Sequence, residues 1–228
     1  FHLASPLNAF GVFEGTGRSP LSNELVAGCI FAAAMLIYWI WAVSGKMADG
    51  VRMGLAWVVA AVGLVFALFT GVAYMIDTIP SWNTIAGPVQ MLGFALLGGA
   101  AVGVLVLALS GCADQLRSGS LRTAVLAVVA AGLVLGIGGF AVQATAASGM
   151  SNPLVSGADL VASAMMVIAC GVICLVGTGV CDTFAVRGAK AGALVGVSTG
   201  AVVLALVGIL LMRLAFYTLQ ISVGLSIM

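Results

Sequence analysis

Six long apolar runs, almost free of charged residues, constrain this 228-residue chain more than any other feature. A helix needs about 20 apolar residues to cross about 30 Å of hydrocarbon. Charged residues, glycines and prolines bound the runs and predict helices at about 25–44, 53–76, 89–110, 121–144, 159–181 and 191–215. We therefore predict an all-α integral membrane protein, a six-transmembrane-helix bundle that forms a single transmembrane helical domain over residues 1–228.

The composition excludes a soluble domain. Hydrophobic residues make up 63% of the sequence and charged residues 7%, whereas soluble domains carry about a quarter charged residues. The net charge is +1 and the basic residues are dispersed, so nucleic acid is not an expected partner and the lipid bilayer is. The links between the runs are too short to fold into a catalytic domain.

The cysteines and the single histidine exclude two kinds of resident cofactor. The five cysteines contain neither a CxxC pair nor ferredoxin spacing, so no iron–sulfur cluster or other metal site is predicted in this protein. Cys170 and Cys174 lie one helical turn apart, where packing explains them better than redox chemistry. A membrane b-type haem usually needs two axial ligands, most often histidines, and His2 is the only one, so no haem is expected.

Glycines at four-residue spacing suggest close helix packing. Small residues at this spacing let helix backbones approach each other in lipid, where the hydrophobic effect does not drive association. The pattern predicts close contacts at Gly99, Gly103, Gly132, Gly136, Gly188, Gly192, Gly196 and Gly200.

The distribution of lysine and arginine predicts the orientation in the membrane. Cytoplasmic loops are enriched in these residues. The first, third and fifth links carry them and are predicted to be cytoplasmic, whereas the links at 77–88 and 145–158 carry none. These two links and residues 1–23 are then extracytoplasmic, with Arg18 as the exception.

Five ionisable residues are candidates for function because such groups are unfavourable at membrane depth. They are His2, Glu24, Asp77, Asp159 and Arg213. The predicted topology places all of them toward the same extracytoplasmic face.

Each of these residues also has a structural interpretation. Glu24 could sit near a helix start capped by Ser22, and Asp159 could pair with the dipole of its own helix. Asp77 could bond backbone amides of its turn, with Trp82 as an interfacial anchor, and Arg213 could extend outward at a helix end. The sequence leaves both interpretations open.

Three segments resemble the DmsC family, the membrane anchor subunits of dimethyl sulfoxide reductases. Residues 1–10 (FHLASPLNAF) and 19–24 (SPLSNE) are similar to the family's HLGSP…AF…LSNE signature. Residues 74–82 (YMIDTIPSW) resemble the turn after the family's fourth helix, and residues 213–217 (RLAFY) resemble its RxxFY motif. Family members have eight helices, so the resemblance implies eight in the full-length protein, with the first helix and most of the second missing here.

The resemblance implies an anchor that oxidises menaquinol and holds no prosthetic group of its own. The electrons would pass to a four-cluster iron–sulfur subunit and then to a molybdopterin catalytic subunit, in the bacterial cytoplasmic membrane. His2 and Glu24 match family residues associated with quinol binding and proton release. Asp77, Arg213 and Tyr217 would complete the candidate quinol pocket, in which Arg213 could hold a quinone oxygen.

Two departures and three alternatives remain. Ile209 stands where a family example carries a glutamate, and Gln220 where it carries a histidine, so the outer rim of the pocket and the terminal acceptor could differ. A related quinone-interacting anchor of the NrfD or polysulfide-reductase type is one alternative. A small-solute transporter is another, as is a purely structural anchor.

Overall fold

The computed structural model describes residues 6–117, 119–188 and 191–223. Within these residues, six helices are long and apolar enough to cross a membrane, which confirms the predicted all-α membrane fold. The protein divides into two compact units, residues 1–75 and 76–228. His2, the first candidate site residue, lies outside the described residues.

The first unit is a helical hairpin preceded by a 3₁₀ helix. Pro6–Gly15 form the 3₁₀ helix, and Pro20–Val43 (α1) and Asp49–Val72 (α2) form the hairpin. The rings of Phe31 and Phe66 stack with centroids 5.8 Å apart. Each ring also lies against a glycine of the facing helix. A Cβ added at Gly28 would be 3.0 Å from the Phe66 ring, and one added at Gly63 would be 2.9 Å from the Phe31 ring. Small and large residues thus alternate across the hairpin.

The second unit contains four long helices and one short helix. The helices are Ala86–Leu109 (α3), Ala113–Arg117 (α4), Gly119–Ser148 (α5), Gly157–Gly188 (α6) and Ala191–Thr218 (α7). Helix α3 packs mainly on α5 and also on α7, and α6 packs mainly on α7 and also on α5. The short helix α4 lies against α3, α5 and α6.

Glycine permits the closest approach in this unit, between α3 and α5. A Cβ at Gly93 would fall on the backbone of Gly136, and one at Gly132 would be 2.8 Å from the backbone nitrogen of Leu97. The predicted contacts are therefore correct for Gly132 and Gly136. They are not seen at six glycines, where a Cβ would meet no described residue within 4 Å: Gly99, Gly103, Gly188, Gly192, Gly196 and Gly200. Spacing alone does not identify which helix face is covered.

Several predicted helix boundaries are wrong in ways that affect the site. Helix α1 begins at Pro20 with Ser19 as its N-cap, whose side chain accepts from the amide of Ser22, so Ser22 is not the cap. Helix α2 ends at Val72, which leaves Asp77 in the following turn. Helix α6 continues to Gly188, well past the predicted end at residue 181, and Asp182 is buried within the extended helix together with Ala185 and Val186.

Candidate functional site

An aromatic cluster, Trp82, Phe216 and Tyr217, lies at one end of the second unit. The Trp82 and Phe216 rings stack with centroids 5.1 Å apart, and Tyr217 meets both rings edge-on at 5.8 and 5.5 Å. The indole N–H of Trp82 donates to the backbone oxygen of Phe216 over 3.0 Å. Trp82 is buried, so little of its ring is left to contact lipid as the interfacial-anchor interpretation expected. It instead joins the turn at 76–85 to the end of α7.

Arg213 lies directly on this cluster. Its guanidinium carbon is 4.4 Å from the centroid of the Phe216 ring and 4.9 Å from that of Tyr217. Its Nη2 donates to the Tyr217 hydroxyl over 2.9 Å. The attraction between the cation and the ring faces adds to this hydrogen bond. The guanidinium is therefore held in place, whereas the Tyr217 side chain remains partly exposed.

Asp77 belongs to the turn that packs against the aromatic cluster. Its Oδ1 accepts from the side-chain amide of Asn83 over 2.9 Å, and the hydrogen bond is exposed. The next residue, Thr78, accepts from the amide of Val223 through its backbone oxygen over 3.0 Å. The carboxylate thus stabilises its own turn, but it accepts from the side-chain amide of Asn83 and not from the backbone amides that the structural interpretation expected.

Next to the turn at 76–85, a buried polar network connects α3, α5 and the C-terminal segment, residues 219–223. Gln90 Nε2 donates to Gln143 Oε1 over 2.5 Å, and Gln143 Nε2 donates to the backbone oxygen of Ser81 over 3.3 Å. The Ser81 hydroxyl accepts from the amide of Ile221 over 2.9 Å. All three polar side chains are fully buried. Since buried polar groups contribute only when they are bonded, this network fixes the position of the turn above it.

A cavity of about 460 Å³ adjoins the same end of the unit. The turn at 76–85, the link between α5 and α6 and the C-terminal segment supply its walls, with Pro80, Met150, Ser151, Asn152, Pro153, Ile221, Ser222 and Val223 as its lining. Asn152 holds the wall together by donating to the backbone oxygen of Ser222 over 3.2 Å. None of the three predicted site residues of this unit lines the cavity.

In the first unit, Glu24 lies beside an apolar groove between α1 and α2. The groove has a volume of about 520 Å³ and is lined by Leu21, Glu24, Leu25, Gly28, Cys29, Ala32 and Phe66. Glu24 is the fifth residue of α1, beyond the first turn. The interaction of a carboxylate with the helix dipole falls off within that turn. The interaction with the helix dipole therefore does not explain Glu24 well. The presence of a carboxylate in an apolar groove needs a different explanation.

The structure thus places the predicted site residues in two groups. Arg213 and Tyr217 are joined by a hydrogen bond between their side chains, and Asp77 lies in the turn that packs against them. Glu24 belongs to the first unit, on α1. Asp159 lies in the first turn of α6, as its dipole interpretation requires.

Sequence reasoning missed one buried acid. Asp182 is fully buried on α6, but the predicted helix stopped at residue 181 and assigned this residue to a link. The signal was available in the spacing, because Leu175, Thr178, Asp182 and Ala185 recur at helical intervals. The glutamine pair was missed because amide side chains carry no charge pattern.

Comparison with known protein families tests the family resemblance that the sequence motifs suggested. The family described as DMSO reductase anchor subunit (DmsC) matches residues 1–219. The protein belongs to the DmsC family. It is accordingly a multi-pass protein of the bacterial cytoplasmic membrane, as predicted. No solved structure matches it.

Curated relatives of the same type match in part of their length. The C subunit of the anaerobic dimethyl sulfoxide reductase of Escherichia coli K12 is 34% identical over 134 residues, which are 58% of the present sequence and 47% of that protein. The YnfH subunit of an anaerobic dimethyl sulfoxide reductase from the same organism is 42% identical over 84 residues, and the C subunit from Haemophilus influenzae is 39% identical over 84 residues. Each of these two matches covers 36% of the present sequence and 29% of the relative. The aligned part therefore spans less than half of each relative.

Proposed function

We propose that this protein is the quinol-oxidising membrane anchor of a respiratory molybdoenzyme complex. It binds menaquinol at its extracytoplasmic end and passes the electrons to a four-cluster iron–sulfur subunit. A molybdopterin subunit then reduces dimethyl sulfoxide or a similar acceptor. The family membership and the names of the relatives support this proposal.

The observation that carries the proposal is the pairing of Arg213 with Tyr217 on an aromatic surface. A quinol headgroup is a flat aromatic ring with two oxygens, so its recognition needs a stacking surface and hydrogen-bond donors. Tyr217 and Arg213 provide donors, and the tyrosine is exposed enough to be reached. The guanidinium is held by two rings, so it keeps its direction when a ligand oxygen approaches.

Quinol oxidation also requires groups that accept protons. Menaquinol loses two electrons and two protons to become menaquinone; the electrons leave to the iron–sulfur subunit. The protons leave from the two hydroxyl oxygens, and Glu24 and His2 accept them in this proposal. A carboxylate and an imidazole are the side chains suited to this task near neutral pH. Glu24 is the one acid among the described residues that line the apolar groove.

Co-purification tests whether the protein is part of such a complex. The tagged full-length protein is isolated in mild detergent from anaerobically grown cells, and iron and molybdenum are measured in the eluate. Both metals are expected to follow the protein through size-exclusion chromatography. Iron without molybdenum would favour an NrfD-type anchor, and the absence of both metals would favour the transporter alternative.

Tyr217→Phe tests the proposed headgroup contact. Loss of one hydrogen bond, worth about 0.5 to 1.5 kcal/mol, predicts roughly a two- to tenfold lower kcat/KM with a menaquinol analogue. Reduction of the acceptor by an artificial donor that feeds the iron–sulfur subunit directly should not change. Tyr38→Phe, in α1, is the matched control. Equal quinol kinetics in Tyr217→Phe and the control would contradict the contact.

A further inference from the structure

Asp182 is a buried carboxyl group inside the second unit that the proposed quinol chemistry does not use. Its side chain is fully buried, and neither carboxyl oxygen has a hydrogen-bond partner among the described residues. It lies on α6, whereas the aromatic cluster lies at the opposite end of the α6–α7 pair. Ser198, at the level of Asp182, is about 27 Å along α7 from Phe216 at a rise of about 1.5 Å per residue.

The helical spacing places Asp182 on the buried face of α6, part of which packs against α7. Leu175 contacts Gly208 of α7, and the Thr178 hydroxyl lies 3.4 Å from the backbone oxygen of Ala201. Asp182 follows Leu175 and Thr178 at intervals of seven and four residues, which keeps it on the same helix face. Its carboxyl group therefore lies on the side of this interface that α3 also covers, because Ala185 and Val186 pack with Val104 and Ala108 of α3.

Ser198 lies at the matching position on α7. It shares a buried stripe with Leu194, Ala201 and Ala205, at intervals of three and four residues. Helices α6 and α7 are antiparallel. Thr178 contacts Ala201 on one side of the pair, and Ala185 belongs to one buried cluster with Leu194 on the other side. Asp182 and Ser198 lie between these two contacts along their helices. The two side chains are thus at the same level of one interface.

The Ser198 hydroxyl donates no hydrogen bond to a backbone carbonyl group in the described part of α7. Serine and threonine in helices commonly donate to the carbonyl oxygen four residues earlier. The adjacent Thr199 does so, with 2.8 Å to the oxygen of Val195. Ser198 Oγ is buried without a hydrogen-bond partner among the described residues, although the carbonyl group of its own preceding turn is the usual acceptor. A second unpaired polar group therefore faces the same interface as the Asp182 carboxyl.

Among the described residues, the surroundings of this pair are apolar apart from the Thr178 hydroxyl, and the nearby cations lie at the end of the unit. Leu116 of α4 packs with Ala185, Val186 and Leu194 in a buried cluster that covers the interface beyond Asp182. Among the described residues, the charged groups of this end are Asp114 and Arg117 on α4, Arg122 on α5 and Arg187 on α6. Arg117 is half-buried and the other three are exposed, α3 carries no charged residue, and α7 carries only Arg213, at the other end.

We propose that Asp182 and Ser198 form a proton-binding site between α6 and α7. An ionised carboxyl group without a partner is strongly unfavourable in an apolar interior, whereas the neutral acid can donate a hydrogen bond to a hydroxyl. The carboxyl group therefore carries a proton, which it donates to Ser198 Oγ after a side-chain rotation or through one water molecule. The site is independent of the proposed quinol oxidation.

Infrared spectroscopy of the purified full-length protein in its complex tests this site. A protonated carboxyl group has a carbonyl band distinct from that of a carboxylate, and the band shifts to lower frequency in D₂O. We expect such a band at neutral pH and its loss in Asp182→Asn. Asp114→Asn, which changes an exposed acid of the same end, should leave the band unchanged.

The Ser198→Ala variant tests the partner and remains informative if Asp182→Asn does not fold. Removal of the hydroxyl should shift the carbonyl band to higher frequency because its hydrogen bond is lost. Thr199→Ala, on the exposed side of α7, should not shift it. The absence of a protonated carboxyl band in the unsubstituted protein would overturn the proposal. A band that stays in Asp182→Asn, or that does not move in Ser198→Ala, would overturn it as well.

Discussion

The indole N–H of Trp82 donates to the backbone oxygen of Phe216, a residue 134 positions later in the sequence, while the two rings stack. This bond connects the turn that carries Asp77 to the helix end that carries Arg213 and Tyr217. The carbonyl groups in the last turn of a helix lack partners within the helix, and the indole donates to one of them. The candidate quinol-binding surface depends on this contact.

Trp82→Phe should destabilise the second unit while the ring stacking is largely retained. The hydrogen bond from the indole to the Phe216 oxygen is lost, which predicts a decrease of about 0.5 to 1.5 kcal/mol in the free energy of unfolding. Thermal unfolding in detergent measures the change. Trp57→Phe, at a side chain that is 73% exposed, is the matched control and should change stability little. A Trp82→Phe protein as stable as this control would contradict the role of the hydrogen bond.

Gly93→Ala should separate α3 from α5. The added Cβ would fall on the backbone of Gly136, which no side-chain rotation can relieve. Overpacking of this kind predicts a loss of about 1 to 3 kcal/mol in stability. Gly103→Ala, on the same helix but with open space around the added atom, should be neutral or stabilising by up to about 1 kcal/mol. Similar melting temperatures for the two variants would show that the helices do not approach so closely.

The glutamine pair should show strong coupling in a double-mutant cycle. Gln90→Leu or Gln143→Leu alone leaves a buried amide group without its partner and should reduce stability by about 1 to 3 kcal/mol. The double variant removes both amides, so its loss should be smaller than the sum of the two single losses. Additive losses would mean that Gln90 and Gln143 do not interact.

The transmembrane fold was predictable because the bilayer requires long apolar helices, and no other pattern in the sequence competes with that requirement. The helix ends were less predictable. Val186 and Ala185 continue α6 beyond Asp182, but a charged residue in an apolar run is a reasonable stop signal when its burial is not known. In the same way, Ser19 and Ser22 are both good caps by sequence, and only the backbone geometry distinguishes them.

The candidate site was predictable only where short-range contacts form it. Arg213 and Tyr217 are four residues apart on one helix, so their contact follows from helical geometry. The packing of Trp82 on Phe216 joins distant segments, and no periodic pattern indicates it. The resemblance to the DmsC family selected His2 and Glu24 as proton acceptors, and their role stays a prediction.

The most direct test of the central proposal is quinol oxidation by a Glu24→Gln complex. The steady-state rate with a menaquinol analogue is compared with the rate with an artificial donor that reduces the iron–sulfur subunit directly. Asp49→Asn is the matched control, since this acid lies at the other end of the α1–α2 hairpin, where it pairs with Arg52 over 2.7 Å. General acid–base groups contribute about 10²- to 10⁴-fold, so we expect Glu24→Gln to lower the quinol rate at least 100-fold and to leave the artificial-donor rate and the control unchanged. A quinol rate in Glu24→Gln equal to that of Asp49→Asn would contradict the account.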